Sequence, residues 1–303
     1  MNLPANSDEI LSDGRLQDAL FELIKKTSSE LPADVEKALL QARLAEEQGS
    51  TADIIIGIFL ENIQAARSAQ APLCQDTGLP TFFIDHPRQF STATLTKIIR
   101  EAVCRATQEE ILRHNAVDPV TGVNSGNNMG DGFPAIYFRE TEKPVLEVSL
   151  LLKGGGSENV STQYSLPYTA LKAGRDLKGV RLVVLEAVAK AAGMGCPPGV
   201  LGICIGGDRS GGYGEAKRQL LRPLDDINPD PTLAEMEDSL LVKANLLGIG
   251  PLGLGGKTTL LGVKIGKLHR VPASFFVTIS YMCWECRRRT LSWQQDGTYV
   301  IST

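Results

Sequence analysis

Hydrophobic positions recur with helical spacing through the first seventy residues. Leu16, Leu20, Leu23 and Ile24 lie three, four or one position apart, as on one face of a helix. Pro32 marks the first turn of a second helix, and Ser50 and Thr51 provide a cap for a third. We therefore expect a helical N-terminal segment over residues 1–70. The second helix has Val35, Leu39, Leu40 and Leu44 on one face, and the third contains Ile54, Ile55, Ile58 and Leu60.

After residue 70 the pattern alternates between short apolar runs and further helical stretches. The apolar runs predict strands at 81–84, 135–138, 145–152, 200–205, 260–266 and 274–281. Helical spacing returns at 93–113, 181–193, 210–221 and 232–247. The expected fold is therefore a mixed α/β (α+β) body with the helical segment packed on it. No repeat or linker interrupts the chain, so we expect one domain over residues 1–303.

Charge and composition exclude several classes of protein. The 303 residues carry a formal net charge of −4, and nucleic-acid binding requires a basic surface that neutralises phosphates. The triplet Arg287-Arg288-Arg289 is expected at a solvated helix start or a subunit contact. No apolar run is long enough for a membrane span, and the acidic first twenty residues do not resemble a secretory signal. Six cysteines without such a signal indicate reduced thiols or metal ligands, so we expect a cytoplasmic protein.

Three of the cysteines lie at the ends of predicted elements. Cys74, Cys196 and Cys283 each stand beside glycine, proline or a polar residue, which is typical of ligands rather than of core residues. Cys104 and Cys204 lie in apolar stretches and are expected to be structural. Cys286 completes a Cys-x-x-Cys spacing with Cys283, which is also found in redox sites. These residues alone leave metal binding, redox chemistry and plain packing open.

Polar residues near these cysteines suggest a site for an anionic substrate. Gln75 and Asp76 follow Cys74; Asp76 could move a proton, or it could hydrogen-bond its own turn. Arg113 could bind a carboxylate with its planar fork, or it could balance a helix C-terminus. The backbone at Gly155 and Gly156 could approach an anion or form a simple turn.

A second glycine-rich segment, 248–259, is similar to a nucleotide-binding loop at its end. The phosphate-binding pattern needs a glycine five positions before Gly256, and Pro251 stands there instead. A nucleotide-binding module therefore remains an alternative with one required residue missing.

Five motifs occur together in one order along the chain. They are Cys74-Gln75-Asp76-Thr77-Gly78, Arg113-His114-Asn115-Ala116-Val117, Gly154-Gly155-Gly156, Cys196-Pro197-Pro198 and the segment 248–259. In this order they resemble the alpha subunit of class I iron–sulfur hydro-lyases, which are the two-subunit fumarases and L-tartrate dehydratases. The resemblance covers most of the chain.

The resemblance implies a 4Fe–4S cluster with three ligands, Cys74, Cys196 and Cys283, and one open iron. It implies that Gln75, Arg113 and the backbone at Gly155 and Gly156 bind a C4 dicarboxylate, and that Asp76 is catalytic. The expected reaction is hydration of fumarate to (S)-malate, with L(+)-tartrate dehydration as the alternative. The catalytic base is expected on a beta subunit, in an α2β2 assembly.

One position departs from the family pattern. Many relatives have a substrate-contacting histidine immediately before Pro-Ala-Ser, whereas here Val271 precedes Pro272. His269 lies two residues earlier, on the same face of an extended strand, and is expected to substitute for it. A non-catalytic iron–sulfur or redox-sensing protein, with Cys286 or Cys204 as a fourth ligand, is the alternative from another class.

Overall fold

The computed structural model describes residues 14–294 and 296–303. The prediction that residues 1–13 lack a targeting signal lies outside the described residues. The chain divides into two compact units. The first contains residues 14–32, Ile63–Lys153 and Arg287–Thr303, and the second contains Ala33–Asn62 and Gly154–Cys286. The expectation of a single domain over 1–303 stays a prediction.

The described residues form both helices and strands, which are interspersed along the chain. The helices are α1 (Arg15–Ser29), α2 (Ala33–Ala45), α3 (Thr51–Ala69), α4 (Thr92–Gln108), α5 (Gly155–Asn159), α6 (Leu177–Ala191), α7 (Arg209–Gln219) and α8 (Pro231–Asn245). The strands are β1 (Leu79–His86), β2 (Ala135–Glu140), β3 (Leu146–Lys153), β4 (Thr162–Ser165), β5 (Gly199–Gly206), β6 (Leu260–Leu268), β7 (Phe276–Met282), β8 (Arg288–Trp293) and β9 (Tyr299–Ser302). The predicted mixed α/β class is confirmed.

The first unit contains a five-stranded sheet in the order β2-β1-β3-β8-β9. Strand β1 is parallel to β2 and antiparallel to β3. Helices α1 and α4 pack together, and their apolar faces join the sheet in one core that includes Leu20, Ile24, Ile99, Val103 and Leu150. This core fixes the start of β1, which follows the Cys74 loop. It also fixes the end of α4, which precedes the Arg113 segment.

The second unit contains a four-stranded sheet in the order β4-β7-β5-β6. Strand β5 is parallel to β6 and antiparallel to β7. Alternate residues of β5 (Leu201, Ile203 and Ile205) join the core formed with α6 and α8. The opposite face of β5 lies against α7, where a Cβ at Gly202 would be 2.0 Å from the carbonyl oxygen of Ala216. The absence of a side chain at Gly202 therefore lets α7 approach the sheet.

The apolar residues named from the sequence of α2 and α3 are only partly buried. Leu40 and Leu44 are 48% and 86% exposed, and Ile54 and Ile58 are more than half exposed. Burial falls on a neighbouring face, which includes Val35, Leu39, Ala42, Ile56 and Phe59. Apolar residues lie around most of the circumference of these helices, so their spacing alone does not select the packed side.

Two further predictions are corrected by the structure. The arginine triplet is buried: Arg287 precedes β8, Arg288 and Arg289 begin it, and Arg289 donates to the Glu30 carboxylate at 3.0 Å. The helix predicted over 93–113 ends at Gln108, so Arg113 lies in the following loop. No helix in the described part of the chain is long and apolar enough to cross a membrane.

A pair of glycine substitutions tests the close packing of α7 on β5. We expect Gly202→Ala to destabilise the protein by about 1–3 kcal/mol or more, because its methyl group would overlap the Ala216 carbonyl. Gly214→Ala, within α7, meets no atom within 4 Å and should stabilise the helix by up to about 1 kcal/mol. Urea unfolding of both variants measures the difference. Equal midpoints would contradict the packing described above.

Candidate active site

The Cys74 loop connects α3 to β1 in the first unit. The backbone N–H of Asp76 donates to Sγ of Cys74 at 3.4 Å, and the N–H of Gly78 donates to Oδ1 of Asp76 at 3.0 Å. Gly78 has φ of +78°, and a Cβ there would be 2.6 Å from the carbonyl carbon of Lys153. A glycine is therefore required at this turn, which holds Cys74 and Asp76 in a fixed relation.

Arg287 supports the same loop from the segment before β8. Its Nη2 donates to the carbonyl oxygen of Asp76 at 2.8 Å. Arg287 is buried, so this bond is shielded from solvent. The residue predicted as a surface cation thus positions the Asp76 backbone.

A buried polar network fixes the backbone around Arg113. Oγ1 of Thr77 accepts the N–H of Arg113 at 3.0 Å and Nδ2 of Asn115 at 3.1 Å. Oδ1 of Asn128 accepts the N–H groups of Asn115 at 2.7 Å and Ala116 at 3.2 Å, while its Nδ2 donates to the Arg113 carbonyl oxygen at 2.7 Å. The main chain of Arg113 is held on both sides, while its side chain is exposed.

A cavity of about 870 Å³ opens at these two segments of the first unit. Its lining residues are Pro72, Cys74, Gln75, Asp76, Thr107, Glu110, Leu112, Arg113, His114 and Asn115. The structure therefore brings together four of the predicted site residues: Cys74, Gln75, Asp76 and Arg113. A thiol, an amide, a carboxylate and a guanidinium line one cavity large enough for a small dicarboxylate.

In the second unit, Cys196 and Cys283 lie at the same end of the sheet. Cys196 is three residues before β5, Cys283 directly follows β7, and the antiparallel register pairs Val200 with Met282. The N–H of Trp284 donates to the carbonyl oxygen of Cys196 at 3.2 Å, so the two cysteine segments are hydrogen-bonded to each other. The Trp284 ring stacks on Phe59 with centroids 4.2 Å apart.

Tyr281 lies beside both cysteine segments. A Cβ at Gly195 or Gly199 would be 2.5 Å from its ring atoms, so the loop that contains Cys196 lies directly against the ring. Burial, and then negative charge at Cys283 and Cys196, raise the pKa of the Tyr281 hydroxyl well above its usual range. The hydroxyl is therefore neutral and is a hydrogen-bond donor near the two thiols.

The glycine run begins helix α5 rather than an open loop. Ser157 Oγ donates to the Gly154 carbonyl oxygen at 3.0 Å, and a Cβ at Gly156 would be 3.8 Å from the Met194 carbonyl oxygen. Gly155 and Gly156 are exposed in the first turn, close to the segment that leads to Cys196. Their predicted contact with an anion stays a prediction.

His269 lies at the other end of the second unit's sheet. It follows β6, whose last residue Leu268 pairs with Gly206 at the end of β5, whereas Cys196 precedes the start of β5. A cavity of about 460 Å³ there is lined by Ile205, Gly206, Lys267, Leu268, His269, Arg270, Pro272 and Phe275. His269 is thus separated from Cys196 by the length of β5, and its role in substrate binding stays a prediction.

The other two cysteines of the second unit are fully buried. Cys204 lies within β5, and burial followed by the negative charge of Glu215 raises the pKa of its thiol to about 12. Cys286 lies with Sγ 4.0 Å from the carbonyl oxygen of Leu220. This burial favours a packing role over a redox role, because reactive thiols are partly exposed.

The glycine-rich segment 248–259 is closed by a carboxylate of the protein itself. Glu46 accepts the N–H groups of Lys257 and Thr258 at 2.9 Å, and Nζ of Lys257 donates to the carbonyl oxygen of Ala45 at 2.8 Å. These N–H groups are the ones a phosphate would need in a nucleotide site. The nucleotide-binding alternative is therefore not favoured.

The donor types present suit a soft metal group. Cysteine sulfur is the usual ligand of iron–sulfur clusters, Cys74 Sγ accepts an N–H bond that would stabilise a thiolate, and the Cys196 and Cys283 segments are tied together. Across residues 14–294 and 296–303, no three His, Cys, Asp or Glu side chains are grouped closely enough to hold a metal ion. Cys74 belongs to the first unit and the other two to the second.

Four supporting residues were missed by sequence reasoning: Thr77, Asn128, Tyr281 and Arg287. Asn128 has a φ of +58°, a conformation that asparagine tolerates, and it lies in a segment rich in asparagine and glycine, which is typical of such turns. Nothing in the local sequence indicated that Arg287 would be buried. Its contact with Asp76 joins residues 211 positions apart.

Comparison with known proteins places these motifs in context. A family model described as fumarate hydratase (Fumerase) matches residues 17–292. A putative class I fumarate hydratase of Geobacillus stearothermophilus is 47% identical over 277 residues, which cover 90% of this chain and 54% of the relative. The chain therefore spans about half the length of that relative.

Two relatives of similar length are named as alpha subunits. A putative L(+)-tartrate dehydratase subunit alpha of Methanocaldococcus jannaschii is 37% identical over 279 residues, covering 90% of this chain and 96% of the relative. The L(+)-tartrate dehydratase subunit alpha of Escherichia coli is 32% identical over 289 residues, which cover 94% of this chain and 93% of the relative.

Substitution of Asn128 tests the network behind Arg113. We expect Asn128→Asp to lower the free energy of unfolding by about 1–3 kcal/mol, because a carboxylate cannot donate to the Arg113 carbonyl and would repel it. Asn127→Asp is the matched control. Oδ1 of residue 127 accepts the Met129 N–H, and an aspartate oxygen can accept the same bond, so this change should alter stability little. Thermal unfolding of both variants measures the difference in stability. Equal melting temperatures would mean that the network contributes nothing to the free energy of unfolding.

Proposed function

The chain belongs to the fumarate hydratase (Fumerase) family, and on that premise we propose that it is the alpha subunit of a hydro-lyase that acts on a C4 dicarboxylate. The favoured reaction is reversible hydration of fumarate to (S)-malate. The observation that carries the proposal is the cavity of the first unit, which gathers Gln75, Asp76 and Arg113 beside Cys74.

We propose Cys74, Cys196 and Cys283 as the ligands of a 4Fe–4S cluster with one open iron. When bound, such a cluster supplies a Lewis acid for a substrate hydroxyl and carboxylate. In support, Cys74 lies in the loop before β1, Cys196 and Cys283 lie beside β5 and β7, and backbone hydrogen bonds hold these segments. Cys104, on α4, is not a proposed ligand.

Arg113 binds one substrate carboxylate in this proposal. A guanidinium group offers two parallel N–H donors that match a carboxylate, which a lysine cannot reproduce. The network of Thr77 and Asn128 fixes the Arg113 backbone, so less freedom is lost when the side chain binds. Gln75 adds an amide donor from the opposite segment of the same cavity.

Asp76 holds or moves the proton of the substrate hydroxyl. Its Oδ1 accepts the Gly78 N–H, and the bond from Arg287 to its carbonyl oxygen fixes its backbone. The turn role and the catalytic role considered from sequence are therefore compatible, because one oxygen maintains the turn and orients the carboxylate. A base that is oriented before substrate arrives requires less reorganisation during reaction.

We propose that a beta subunit completes the active site in an α2β2 assembly. The reaction needs a base for the carbon-bound proton, and the candidate residues of this chain do not provide one. The two relatives of matching length are named as alpha subunits, whereas the relative of which the match covers only 54% is named as a fumarate hydratase. A cytoplasmic location stays a prediction from the cysteine content, because thiols remain reduced there.

L(+)-tartrate dehydration is the second candidate. Its support is that the Methanocaldococcus and Escherichia coli relatives, matched over nearly their whole length, carry that name. Arg113 and Gln75 would bind the carboxylates of either substrate. Assay of the complete enzyme with fumarate and with L(+)-tartrate separates the two.

Loss of single thiols tests the proposed cluster. After anaerobic reconstitution with iron and sulfide, the wild-type chain should hold about four irons. Cys74→Ala, Cys196→Ala and Cys283→Ala should each lose the cluster absorbance, while Cys104→Ala and Cys286→Ala should retain it. Iron and sulfide analysis with visible spectroscopy measures this outcome. Retention in all three ligand variants would make the cluster assignment wrong.

Two conservative substitutions separate binding from proton transfer. In the complete enzyme, Arg113→Lys should raise KM by roughly tenfold or more, because the bidentate fork is lost. Asp76→Asn should leave KM little changed and lower kcat by about 10²-fold or more, because the amide cannot transfer the proton. Lys172→Arg, an exposed substitution in the second unit, is the control. Unchanged kcat in Asp76→Asn would remove Asp76 from the catalytic step.

A further inference from the structure

Tyr281 carries a buried hydroxyl that no described residue satisfies. The residue is 2% exposed on β7, two positions before Cys283, and its Oη has no hydrogen-bond partner among the described side chains and backbone. Buried tyrosine hydroxyls normally have a partner, because leaving the group unpaired costs the desolvation of a polar atom. The hydroxyl can therefore donate to a group bound at this end of the sheet.

The ring extends along the segment that contains Cys196. A Cβ added at Gly195 would be 2.5 Å from Cε1 of Tyr281, and one added at Gly199 would be 2.5 Å from its Oη. Gly195 and Gly199 flank Cys196-Pro197-Pro198 in sequence. Only glycine at both positions lets the backbone approach the phenol, so the hydroxyl is held beside the Cys196 segment.

Two hydrogen bonds fix the surroundings of this hydroxyl. The Tyr281 N–H donates to Oγ of Ser161 at 3.1 Å, and the Trp284 N–H donates to the carbonyl oxygen of Cys196 at 3.2 Å. The first bond restrains the backbone of Tyr281, and the second joins the segments of Cys196 and Cys283. A donor, two thiols and their backbone are thus assembled at one end of the sheet.

We propose that Tyr281 is a positioning residue whose O–H donates to a sulfur of the iron–sulfur group held at Cys196 and Cys283. This inference rests on the proposed function. A phenol O–H stabilises negative charge by donating a hydrogen bond, and cluster sulfurs carry such charge. Hydrogen bonds to cluster sulfurs raise the reduction potential, because they stabilise the more negative, reduced form.

The variant Tyr281→Phe removes the O–H and keeps the ring. Tyr164→Phe is the matched control, since Tyr164 is a buried tyrosine on β4, which pairs with β7 in the same sheet. After anaerobic reconstitution, we expect the same iron content in wild type and both variants. Potentiometric titration followed by electron paramagnetic resonance should show a negative shift of the midpoint potential in Tyr281→Phe alone. Loss of iron in air should be faster in the same variant.

The outcomes separate this inference from the function on which it rests. If wild type holds no cluster, the proposed function is wrong. If wild type holds a cluster and Tyr281→Phe has an unchanged potential, the hydrogen bond is wrong while the function stands. If Tyr281→Phe fails to fold, wild type grown with 3-fluorotyrosine replaces it, because the more acidic phenol should shift the potential positively. An unchanged potential in that protein would equally overturn the proposal.

Discussion

The antiparallel register between β5 and β7 is the constraint on which the second unit's candidate site depends. Because Val200 pairs with Met282, the chain that enters β5 and the chain that leaves β7 meet at one sheet end, with Cys196 and Cys283 beside each other in the fold. A shift of one residue would turn Tyr281 to the other face of the sheet. Gly195 and Gly199 then make the close approach of the cysteine segment to that ring possible. Strand pairing thus determines which chemistry-bearing residues meet, before any ligand is considered.

In the first unit, buried hydrogen bonds perform the corresponding task. Asn128 satisfies backbone groups on three residues of the Arg113 segment, and Thr77 connects that segment to the Cys74 loop. Since these bonds use the main chain of Arg113, its side chain is left to face the cavity that Gln75 also lines. A loop can be as well ordered as a helix when its main-chain groups are satisfied in this way. Such order lowers the entropic cost of binding a small anion.

The sequence predicted the fold class and most elements because hydrophobic periodicity is a local signal. It also predicted Cys74, Asp76 and Arg113 as site residues, and the structure places all three at one cavity. The buried faces of α2 and α3 were missed because Leu40 and Ile54 are apolar on the exposed side. The burial of Arg289 depends on Glu30, far away in sequence, and the distance of His269 from Cys196 depends on strand register. Long-range pairing of this kind leaves no local pattern.

The groups gathered in the first unit also bear on substrate selection. Arg113 and Gln75 offer N–H donors, which recognise carboxylates, and fumarate, malate and tartrate all carry two of these groups. A site discriminates strongly when a buried polar group is left unpaired by the wrong substrate, and the additional hydroxyl of tartrate is the group that would need such a partner. Since the proposed carboxylate-binding residues recognise what the substrates share, they cannot by themselves separate fumarate from tartrate. Under the proposed function, the discriminating contact belongs to the surface that completes this cavity rather than to the segments proposed as cluster ligands.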